Sequence, residues 1–216
     1  MKAAITSAQQ AGGLRQLKKL ETMRNVQLTA LGLFEAHGFD AVTIEEVASA
    51  ARVSAPTIYR HFGTKEGLVL WDEYDPVLLS ALAERLRVDA LGDAIREAIV
   101  RPLDRIYAAE ASRILRRVRL VENHPGLRAA VASSLRGLRS EMARTLVSSG
   151  VCRDPLEADV LAGATTTALE IAIDHWAEGG GKWPLRRFIE RSLRLLRRFA
   201  ETTSAPTGTR KTGTRR

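Results

Sequence analysis

The chain has 216 residues, enough for one large or two small domains, and 45% of them are hydrophobic and 27% charged. This composition is typical of a soluble protein that buries a sizeable core. The single cysteine, Cys152, excludes an intramolecular disulfide and any cysteine-cluster metal site.

The net charge of +8 and the isoelectric point near 10.2 favour an anionic partner, nucleic acid first. Abundant arginine could raise the isoelectric point without any such partner. Part of the excess is also local, at Arg210, Lys211, Arg215 and Arg216. No apolar run approaches the roughly 20 residues that span a bilayer, and no secretory segment is recognisable, so we expect a cytoplasmic protein without membrane contact.

Residues 1–13 are small and polar, and we predict a disordered N-terminal arm. From about Leu14 to His37 the apolar spacing predicts an amphipathic helix that Gly38 ends. The early half of this helix is basic, with one acid, Glu21, among the cations. These cations are Arg15, Lys18, Lys19 and Arg24. They could hold phosphates across a DNA groove or simply form a solvated helix face.

Two short helices around a tight turn are predicted next. Thr43 is a plausible N-cap with Glu46 as its capping-box partner. After a turn at Arg52 and Val53, Ser54 caps a second helix over about 55–62. This plan is that of a helix-turn-helix that reads DNA, although similar pairs of helices occur in proteins that never bind it. The predicted core of this small unit is Phe34, Phe39, Val42, Ile44, Val47, Val53, Ile58 and Phe62.

The remaining pattern stays helical, so the predicted fold class is all-α. A connector helix capped by Thr64 should run over 64–86, with a possible kink at Pro76. Further helices are predicted over 89–109 (interrupted near Pro102), 110–123, 127–149, 154–178 and 184–201. Residues 203–216 are rich in Thr, Ser, Pro, Gly and Arg and predict a disordered basic tail.

The stretch V-S-A-P-T-I-Y-R-H-F-G-T-K-E-G-L, at 53–68, resembles the DNA-binding signature of the TetR family of bacterial transcriptional regulators. The resemblance continues upstream through A-L-G-L-F-E-A-H-G-F-D-A-V-T-I-E-E-V-A and covers about residues 20–70. One departure is visible, because the family often has glycine in the turn where this chain has Arg52. If that position is left-handed, arginine destabilises it by roughly 1 kcal/mol relative to glycine.

The resemblance implies DNA contacts at positions in and around the second short helix. Arg60 could form a bidentate pair with guanine, while Tyr59, His61 and Lys65 suit phosphates. Thr43 and Thr64 begin helices, where free N–H groups favour phosphate oxygens. The predicted DNA-binding residues are Thr43, Ser54, Ala55, Pro56, Thr57, Tyr59, Arg60, His61, Thr64 and Lys65, with Lys18, Lys19 and Arg24 on the preceding helix.

The resemblance also implies two domains with different functions. Residues 14–63 would form a three-helix DNA-binding domain, and 64–202 a helical bundle for effector binding and dimerisation. The last two long helices would form the dimer interface, although they could instead only close the monomer core. Because one such helix is too small to give useful affinity, we expect a homodimer on a palindromic double-stranded operator.

An effector pocket among the middle helices is implied as well. Its candidate lining residues are Trp71, Tyr74, Leu78, Ile106, Tyr107, Val118, Met142, Glu170, Asp174, His175 and Trp176. Each of them fits ordinary core or surface better than a ligand contact. A largely apolar pocket would suit an apolar or amphipathic ligand. The spacing of Glu170, Asp174 and His175 could suggest a metal, but no further ligand cluster lies nearby, so neither metal nor cofactor is predicted.

Three functions fit this pattern to different degrees. A repressor that a small molecule releases from its operator is favoured. A DNA-binding regulator of the same fold without an effector, such as an activator or a nucleoid-associated factor, is the alternative. An enzyme is disfavoured, because the sequence shows no nucleophile–base pair, no phosphate-binding loop and no metal motif, and its four histidines are scattered.

Overall fold

The computed structural model describes residues 2–72 and 74–203, with side chains defined except at 2–17, 104–109 and 200–203. Within this part of the chain every regular element is a helix, which confirms the all-α prediction. The helices are α1 Lys2–His37, α2 Ile44–Ala51, α3 Ala55–Phe62, α4 Lys65–Leu70, α5 Asp75–Arg85, α6 Leu91–Glu122, α7 Pro125–Ser148, α8 Pro155–Glu178 and α9 Leu185–Thr203. None of these helices is both long and apolar enough to cross a membrane.

The first hydrophobic core joins α1 to α4 and confirms the predicted set. Phe34, Phe39, Val42, Ile44, Val47 and Ile58 are buried, and Val53 and Phe62 pack against them. Leu127, from the first turn of α7, is fully buried in the same core, and Leu120 and Val121 of α6 pack beside it. The α6–α7 corner therefore holds the small N-terminal unit.

The second core lies among α5 to α9. Its largest fully buried side chain is Trp176, whose indole N–H donates to the Trp183 carbonyl at 2.9 Å. Small residues on α8, such as Ala158, Ala162 and Ala172, are buried and let the neighbouring helices approach closely. Two separate cores give the chain an N-terminal lobe and a larger C-terminal lobe.

Helix α1 is longer than predicted, because it begins at Lys2 and includes the segment expected to be a disordered arm. Alanine, glutamine and lysine, which are good helix formers, dominate the first ten residues, so the segment can extend the helix despite Gly12 and Gly13. At the other end, α9 extends to Thr203, and the predicted tail beyond it lies outside the described residues.

The connector is two helices rather than one. α4 ends at Leu70, where Trp71 has an extended conformation (φ −52°, ψ 120°), and α5 begins at Asp75. A continuous helix would require an N–H on Pro76 to bond to Asp72, which proline cannot supply, and the ring would collide with that carbonyl. Pro76 instead lies in the first turn of α5, where the missing N–H is not needed.

The predicted division of the next segment into two helices was wrong. α6 runs without a break from Leu91 to Glu122 and accommodates Pro102 in its interior. Residues just before the proline, including Ala98, Ile99 and Val100, are buried in the second core. Burial of this face outweighs the one backbone hydrogen bond that the proline removes.

Helix α7 begins at Pro125, within the segment expected to break the chain. His124 is its N-cap, and its Nδ1 accepts the Leu127 N–H at 3.2 Å. The other predicted boundaries agree closely: Asp154 caps α8, and Gly179 ends it.

Candidate nucleic-acid interface

The beginning of α2 is fixed by a reciprocal pair of hydrogen bonds. The Thr43 N–H donates to the Glu46 carboxylate at 2.7 Å, and the Glu46 N–H donates to the Thr43 hydroxyl at 3.2 Å. The Thr43 N–H, together with the Thr43 hydroxyl at 2.9 Å, donates to the Glu46 carboxylate, favours its ionised form and lowers the pKa of Glu46. The predicted capping box is therefore confirmed, and it sets where α2 starts.

The turn between α2 and α3 is closed by a left-handed residue. Arg52 has φ 57° and ψ 42°, and the Val53 N–H donates to the Ala48 carbonyl at 3.0 Å. Ser54 then caps α3, accepting the Thr57 N–H on its hydroxyl at 3.3 Å. The left-handed conformation considered for Arg52 is thus present, and the two caps fix the direction in which α3 leaves the turn.

Helix α3 buries one side and exposes the other. Ile58 is almost fully buried in the first core, whereas Pro56, Tyr59 and Arg60 are exposed. Ala55, Thr57 and His61 are half-buried. Within the described residues Arg60 makes no hydrogen bond or ion pair, so its planar guanidinium is available for bidentate acceptors such as the O6 and N7 atoms of guanine.

The end of α3 lies so close to α4 that only glycine fits at one position. A Cβ on Gly67 would lie 1.9 Å from the Phe62 carbonyl oxygen, which is a backbone atom that cannot move aside cheaply. The Gly67 N–H also donates to the Thr64 hydroxyl at 3.1 Å. Gly67 thus fixes the α3–α4 angle, a role that we did not predict; the only signal was a glycine in the first turn of a predicted helix.

Lys65, a predicted phosphate contact, makes structural contacts within the N-terminal lobe. Its ammonium donates to the carbonyls of Phe39 at 2.9 Å, Val42 at 3.1 Å and Asp40 at 3.3 Å. It also lies 4.5 Å from the centre of the Phe39 ring. An ammonium has three N–H donors, and all three are directed to the loop between α1 and α2.

A positive charge on α1 affects the pKa of a histidine on α3. Burial, followed by the nearby charges of Lys19 and Arg60, lowers the pKa of His61. His61 is therefore neutral near pH 7, with one ring nitrogen that can donate a hydrogen bond and one that can accept. Lys18 and Lys19 are exposed as predicted, whereas Arg24 is half-buried and has an interaction of its own.

The hydroxyls of three predicted contact residues are used inside the fold. Those of Thr43, Ser54 and Thr64 accept backbone N–H groups as helix caps. Each hydroxyl still carries a proton: that of Thr43 donates to Glu46 at 2.9 Å, whereas that of Thr64 can donate to a phosphate, as can the main-chain N–H groups of the first helical turn.

A buried glutamine is a positioning residue that sequence reasoning missed. The Gln27 side chain is fully buried, and its amide donates to the carbonyls of Leu68 at 3.0 Å and Trp71 at 2.9 Å. It ties α1 to the last turn of α4. The available signal was a polar side chain between the buried apolar residues Val26 and Ala30.

Two arginines of α6, in the C-terminal lobe, contact the same end of α4 and helix α1 of the N-terminal lobe. Arg117 of α6 donates to the Leu70 carbonyl at 3.1 Å and pairs with Asp72 at 3.2 Å. Arg116 forms a bidentate pair with Glu35, both distances being 2.7 Å, and this hydrogen-bonded carboxylate raises the pKa of Arg116.

A further link joins the α6–α7 corner to the loop after α1. His124 accepts a backbone N–H on Nδ1, so its neutral form carries the proton on Nε2 and can donate to Asp40 Oδ1 at 3.1 Å. The His124 and Phe39 rings meet edge to face at 4.8 Å. These contacts orient the N-terminal lobe against α6 and α7.

The C-terminal lobe contains a small apolar cavity of about 30 Å³ between α5, α6, α7 and α8. Of the predicted pocket residues, Leu78 and Met142 line it. Its other lining residues are Leu79, Leu82, Ile95, Ala98, Ile99, Leu138, Thr166 and Leu169. The Thr166 hydroxyl donates to the Ala162 carbonyl at 2.9 Å, so the lining is effectively apolar.

The other predicted pocket residues lie elsewhere. Glu170 and Asp174 are exposed on α8, because they fall on the side of that helix opposite its buried alanines. Trp176 is core, Val118 packs at the edge of that core, and Trp71 meets Phe62 edge to face at 5.8 Å.

Neither Tyr74 nor His175 lines the cavity. Tyr74 is half-buried before α5, and the side chains of Ile106 and Tyr107 are outside the described set. His175 pairs with Glu178 at 3.1 Å on the surface. Among the described residues no three His, Cys, Asp or Glu side chains come together as metal ligands would.

A capped helix-turn-helix with an exposed arginine on its second helix, joined to a separate helical lobe, defines the class of DNA-binding transcriptional regulators. Residues 28–70 match the family model described as bacterial regulatory proteins, tetR family, and residues 89–200 match the MftR C-terminal domain. The chain belongs to the TetR family of bacterial transcriptional regulators. It is a DNA-binding regulator and not an enzyme.

Relatives with assigned names agree with this family. The chain is 31% identical over 143 residues to the HTH-type transcriptional regulator TcmR of Streptomyces glaucescens, covering 63% of each chain. It is 26% identical over 164 residues to MftR of Mycobacterium tuberculosis, assigned as a mycofactocin biosynthesis transcriptional regulator, covering 74% of this chain and 81% of that one. The match thus spans just under two thirds of TcmR.

Solved structures share the fold. The repressor FadR of Thermus thermophilus, crystallised with lauroyl-CoA, superposes with a TM-score of 0.53 at 25% identity, covering 86% of this chain and 98% of that one. The SmeT–triclosan complex superposes with a TM-score of 0.56 at 15% identity, covering 82% and 90%. The second likeness concerns the fold alone.

Proposed function

We propose that the protein is a repressor that binds a palindromic operator as a homodimer in the cytoplasm and leaves it when a small molecule enters the C-terminal lobe. The main support for the proposal comes from Arg60. It is exposed and unpaired within the described structure, on a helix whose two ends are fixed by Ser54 and Gly67. A rigid helix with a free guanidinium suits direct readout of a guanine.

Exposed apolar side chains on the last two helices support a homodimer. Leu156 and Val160 of α8 are 68% and 60% exposed, and Leu195 and Phe199 of α9 are 53% and 74% exposed. Large apolar side chains that recur along one exposed face are typical of an interface. A two-fold dimer would present two α3 helices about one turn of DNA apart, which requires a palindromic site.

The apolar cavity supports a small-molecule effector. At about 30 Å³ it has room for little more than a water molecule, so a ligand must separate the helices that line it. One of these helices, α5, is linked through residues 71–74 to α4 and hence to the DNA-binding lobe. An apolar or fatty-acyl ligand would suit this lining, and the related FadR was crystallised with lauroyl-CoA.

The operator proposal is tested by selecting bound duplexes from a random library. We expect an inverted repeat whose half-site centres are about one helical turn apart. Arg60→Ala should weaken binding by about 1–3 kcal/mol and relax the preference at one base position in each half-site. The control is Arg87→Ala, which removes an exposed arginine from the turn after α5. An unchanged preference would remove Arg60 as a reader, and no enriched inverted repeat would refute the palindromic operator.

The small size of the cavity favours one alternative, a regulator of the same fold without an effector, such as an activator or a nucleoid-associated factor. A thermal-shift screen of acyl-CoA and other amphipathic compounds separates the two. A compound that both stabilises the protein and releases it from the selected duplex supports the repressor. Stabilisation without release, or no stabilisation by any compound, supports the alternative.

A further inference from the structure

The last two helices carry opposite charges. The 24 residues of α8 include the acids Glu157, Asp159, Glu170, Asp174 and Glu178 and neither lysine nor arginine. The 19 residues of α9 include the arginines Arg186, Arg187, Arg191, Arg194, Arg197 and Arg198. Only Glu190 and Glu201 oppose them within α9. Arg186 pairs with Glu190 and Arg197 with Asp93, so among the described residues the charges without an ion pair include Arg191 and Arg194 of α9 and Glu170 and Asp174 of α8.

On α8 the outward face divides into an apolar half and an acidic half. Leu156 and Val160 begin this face, and Glu170, Asp174 and Glu178 continue it at helical spacing. Glu170 and Asp174 are exposed and form no ion pair with lysine or arginine in the described structure. Partial burial and the neighbouring Glu178 carboxylate raise the pKa of Asp174, against the opposing effect of His175.

On α9 four arginines form one stripe. Arg187, Arg191, Arg194 and Arg198 are separated by four, three and four residues, and all four are exposed. Arg191 and Arg194, at the centre of the stripe, have no partner among the described residues. Arg187 stacks 5.3 Å from the Trp183 ring. Leu195 and Phe199 lie beside this stripe.

The two charged faces cannot satisfy each other within one chain. α8 and α9 pack through their inner sides, where the Ser192 hydroxyl donates to the Ala168 carbonyl at 2.6 Å. The buried alanines of α8 and the buried Leu185, Ile189 and Leu193 of α9 occupy that contact. The acids and the arginine stripe lie on surfaces outside it.

We infer that the acidic half of α8 in one protomer binds the arginine stripe of α9 in a second copy of the chain. The inference rests on the proposed homodimer and adds that complementary charges determine which chains associate. In a two-fold dimer each contact occurs twice, so both protomers satisfy both faces. A nucleic acid fits less well, because it would suit the arginines but be repelled by the adjacent carboxylates of α8.

Apolar and charged residues then have separate roles in this interface. The exposed leucines, Val160 and Phe199 supply burial, whereas the charge pattern rejects chains that lack its complement. Two variants make this testable. The α8 variant carries Glu170→Arg and Asp174→Arg, and the α9 variant carries Arg191→Glu and Arg194→Glu.

Each variant alone places like charges in both contacts, so its self-association at low salt should weaken by tenfold or more. An equimolar mixture should restore a heterodimer, because one protomer then supplies two basic faces and the other two acidic faces. A chain with all four substitutions should dimerise with itself but not with the wild type. The control is Arg87→Glu with Arg136→Glu, which alters the net charge as the α9 variant does but in the turn after α5 and on α7.

Dimer dissociation constants are measured by analytical ultracentrifugation at low and high salt, with fluorescent labels to detect mixed dimers. Restored association in the mixture also shows that both variants fold. A wild-type monomer would overturn both the proposed dimer and this inference. A wild-type dimer whose affinity neither variant changes would overturn this inference alone. An α9 variant that dimerises normally but loses duplex affinity would also overturn it, and would identify α9 as a nucleic-acid surface.

Discussion

Arg52 takes the backbone conformation that glycine adopts most readily. It is the one non-glycine residue with positive φ among those described. We expect Arg52→Gly to stabilise the protein by about 0.5–1 kcal/mol, because relief of the left-handed strain exceeds the added entropy of the unfolded chain. Urea denaturation measures the change, and Arg52→Lys should leave stability as it is. Equal or lower stability of the glycine variant would contradict this account.

Lys65 provides a test between a phosphate contact and a structural contact. Lys65→Met leaves three loop carbonyls without their donor, and we expect it to lower the free energy of unfolding by about 1–3 kcal/mol. The salt dependence of duplex binding should be unchanged, because no phosphate contact is lost. Lys19→Met is the matched comparison, with the opposite expectation of a lower salt slope and unchanged stability. A lower slope for Lys65→Met would restore its predicted phosphate role.

The residues of α3 could be predicted from sequence, whereas Lys65 and Gln27 could not. Ser54, Ile58 and Arg60 act through their own helix and its immediate neighbours, so local spacing shows which side each occupies. Lys65 binds carbonyls 23 to 26 residues away, and Gln27 binds carbonyls 41 and 44 residues away. Such contacts depend on the folded path of the chain, which periodicity does not reveal.

The break between α4 and α5 carries a group that titrates near neutral pH. Burial, and secondarily the Asp72 charge, raise the pKa of Asp75 from 3.8 to about 6, against the opposing effect of Arg117. The folded state binds the Asp75 proton more tightly than the unfolded state does. Protonation of Asp75 therefore stabilises the fold fully below about pH 4, and this contribution is lost as the pH rises through 6. The neutral Asp75→Asn should therefore match the wild type near pH 4.

At pH 8 the same Asp75→Asn variant should be more stable than the wild type by about 2 kcal/mol, a figure reduced from the full shift because Asp75 is partly exposed. Thermal melts from pH 4 to pH 8 measure the difference. The exposed Glu84→Gln on α5 serves as the control. A difference that does not grow with pH would show that the charge of Asp75 is not destabilising.

Loss of the hydrogen bonds between α1 and the end of α4 should lower the stability of the fold. Gln27→Leu keeps the volume but removes the donor to the carbonyls of Leu68 and Trp71, which should lower stability by about 1–3 kcal/mol. Hydrogen exchange of the α4 amides should accelerate more than that of α2. Asn25→Leu makes the same change on an exposed site of α1 and should have little effect. Unchanged α4 protection in the Gln27 variant would contradict the proposed link.

The observed helix ends agree with the predicted ones where a local capping residue sets them. They differ where tertiary packing sets them. Thr43, Ser54 and Thr64 cap helices as predicted, since each cap needs only the next three residues. Pro102 lies inside α6 and Pro76 begins α5, although each was expected only to interrupt or kink a helix. The difference lies in the burial on either side, which a single-sequence pattern does not specify.

The two lobes are joined by directional contacts as well as by apolar packing. Arg116 holds Glu35, Arg117 holds the end of α4, and His124 holds Asp40. Leu127 adds a fully buried apolar contact from α7. Movement of α5, α6 or α7 as a ligand enters would therefore displace the N-terminal lobe as a unit. Such coupling arises only if the ligand and the operator favour different arrangements.

The proposed coupling between ligand and operator has a consequence for the proposed dimer that can be tested with lauroyl-CoA, the compound in the related FadR structure. If saturating lauroyl-CoA weakens operator binding by a given factor, saturating operator must weaken lauroyl-CoA binding by the same factor, and we expect this factor to be roughly 5 to 150. Fluorescence anisotropy gives the first factor and calorimetry the second. In Arg60→Ala, at duplex concentrations that saturate only the wild type, added duplex should leave lauroyl-CoA affinity unchanged. Operator release without any effect of operator on lauroyl-CoA affinity would show that the compound does not act through the C-terminal lobe of this protein.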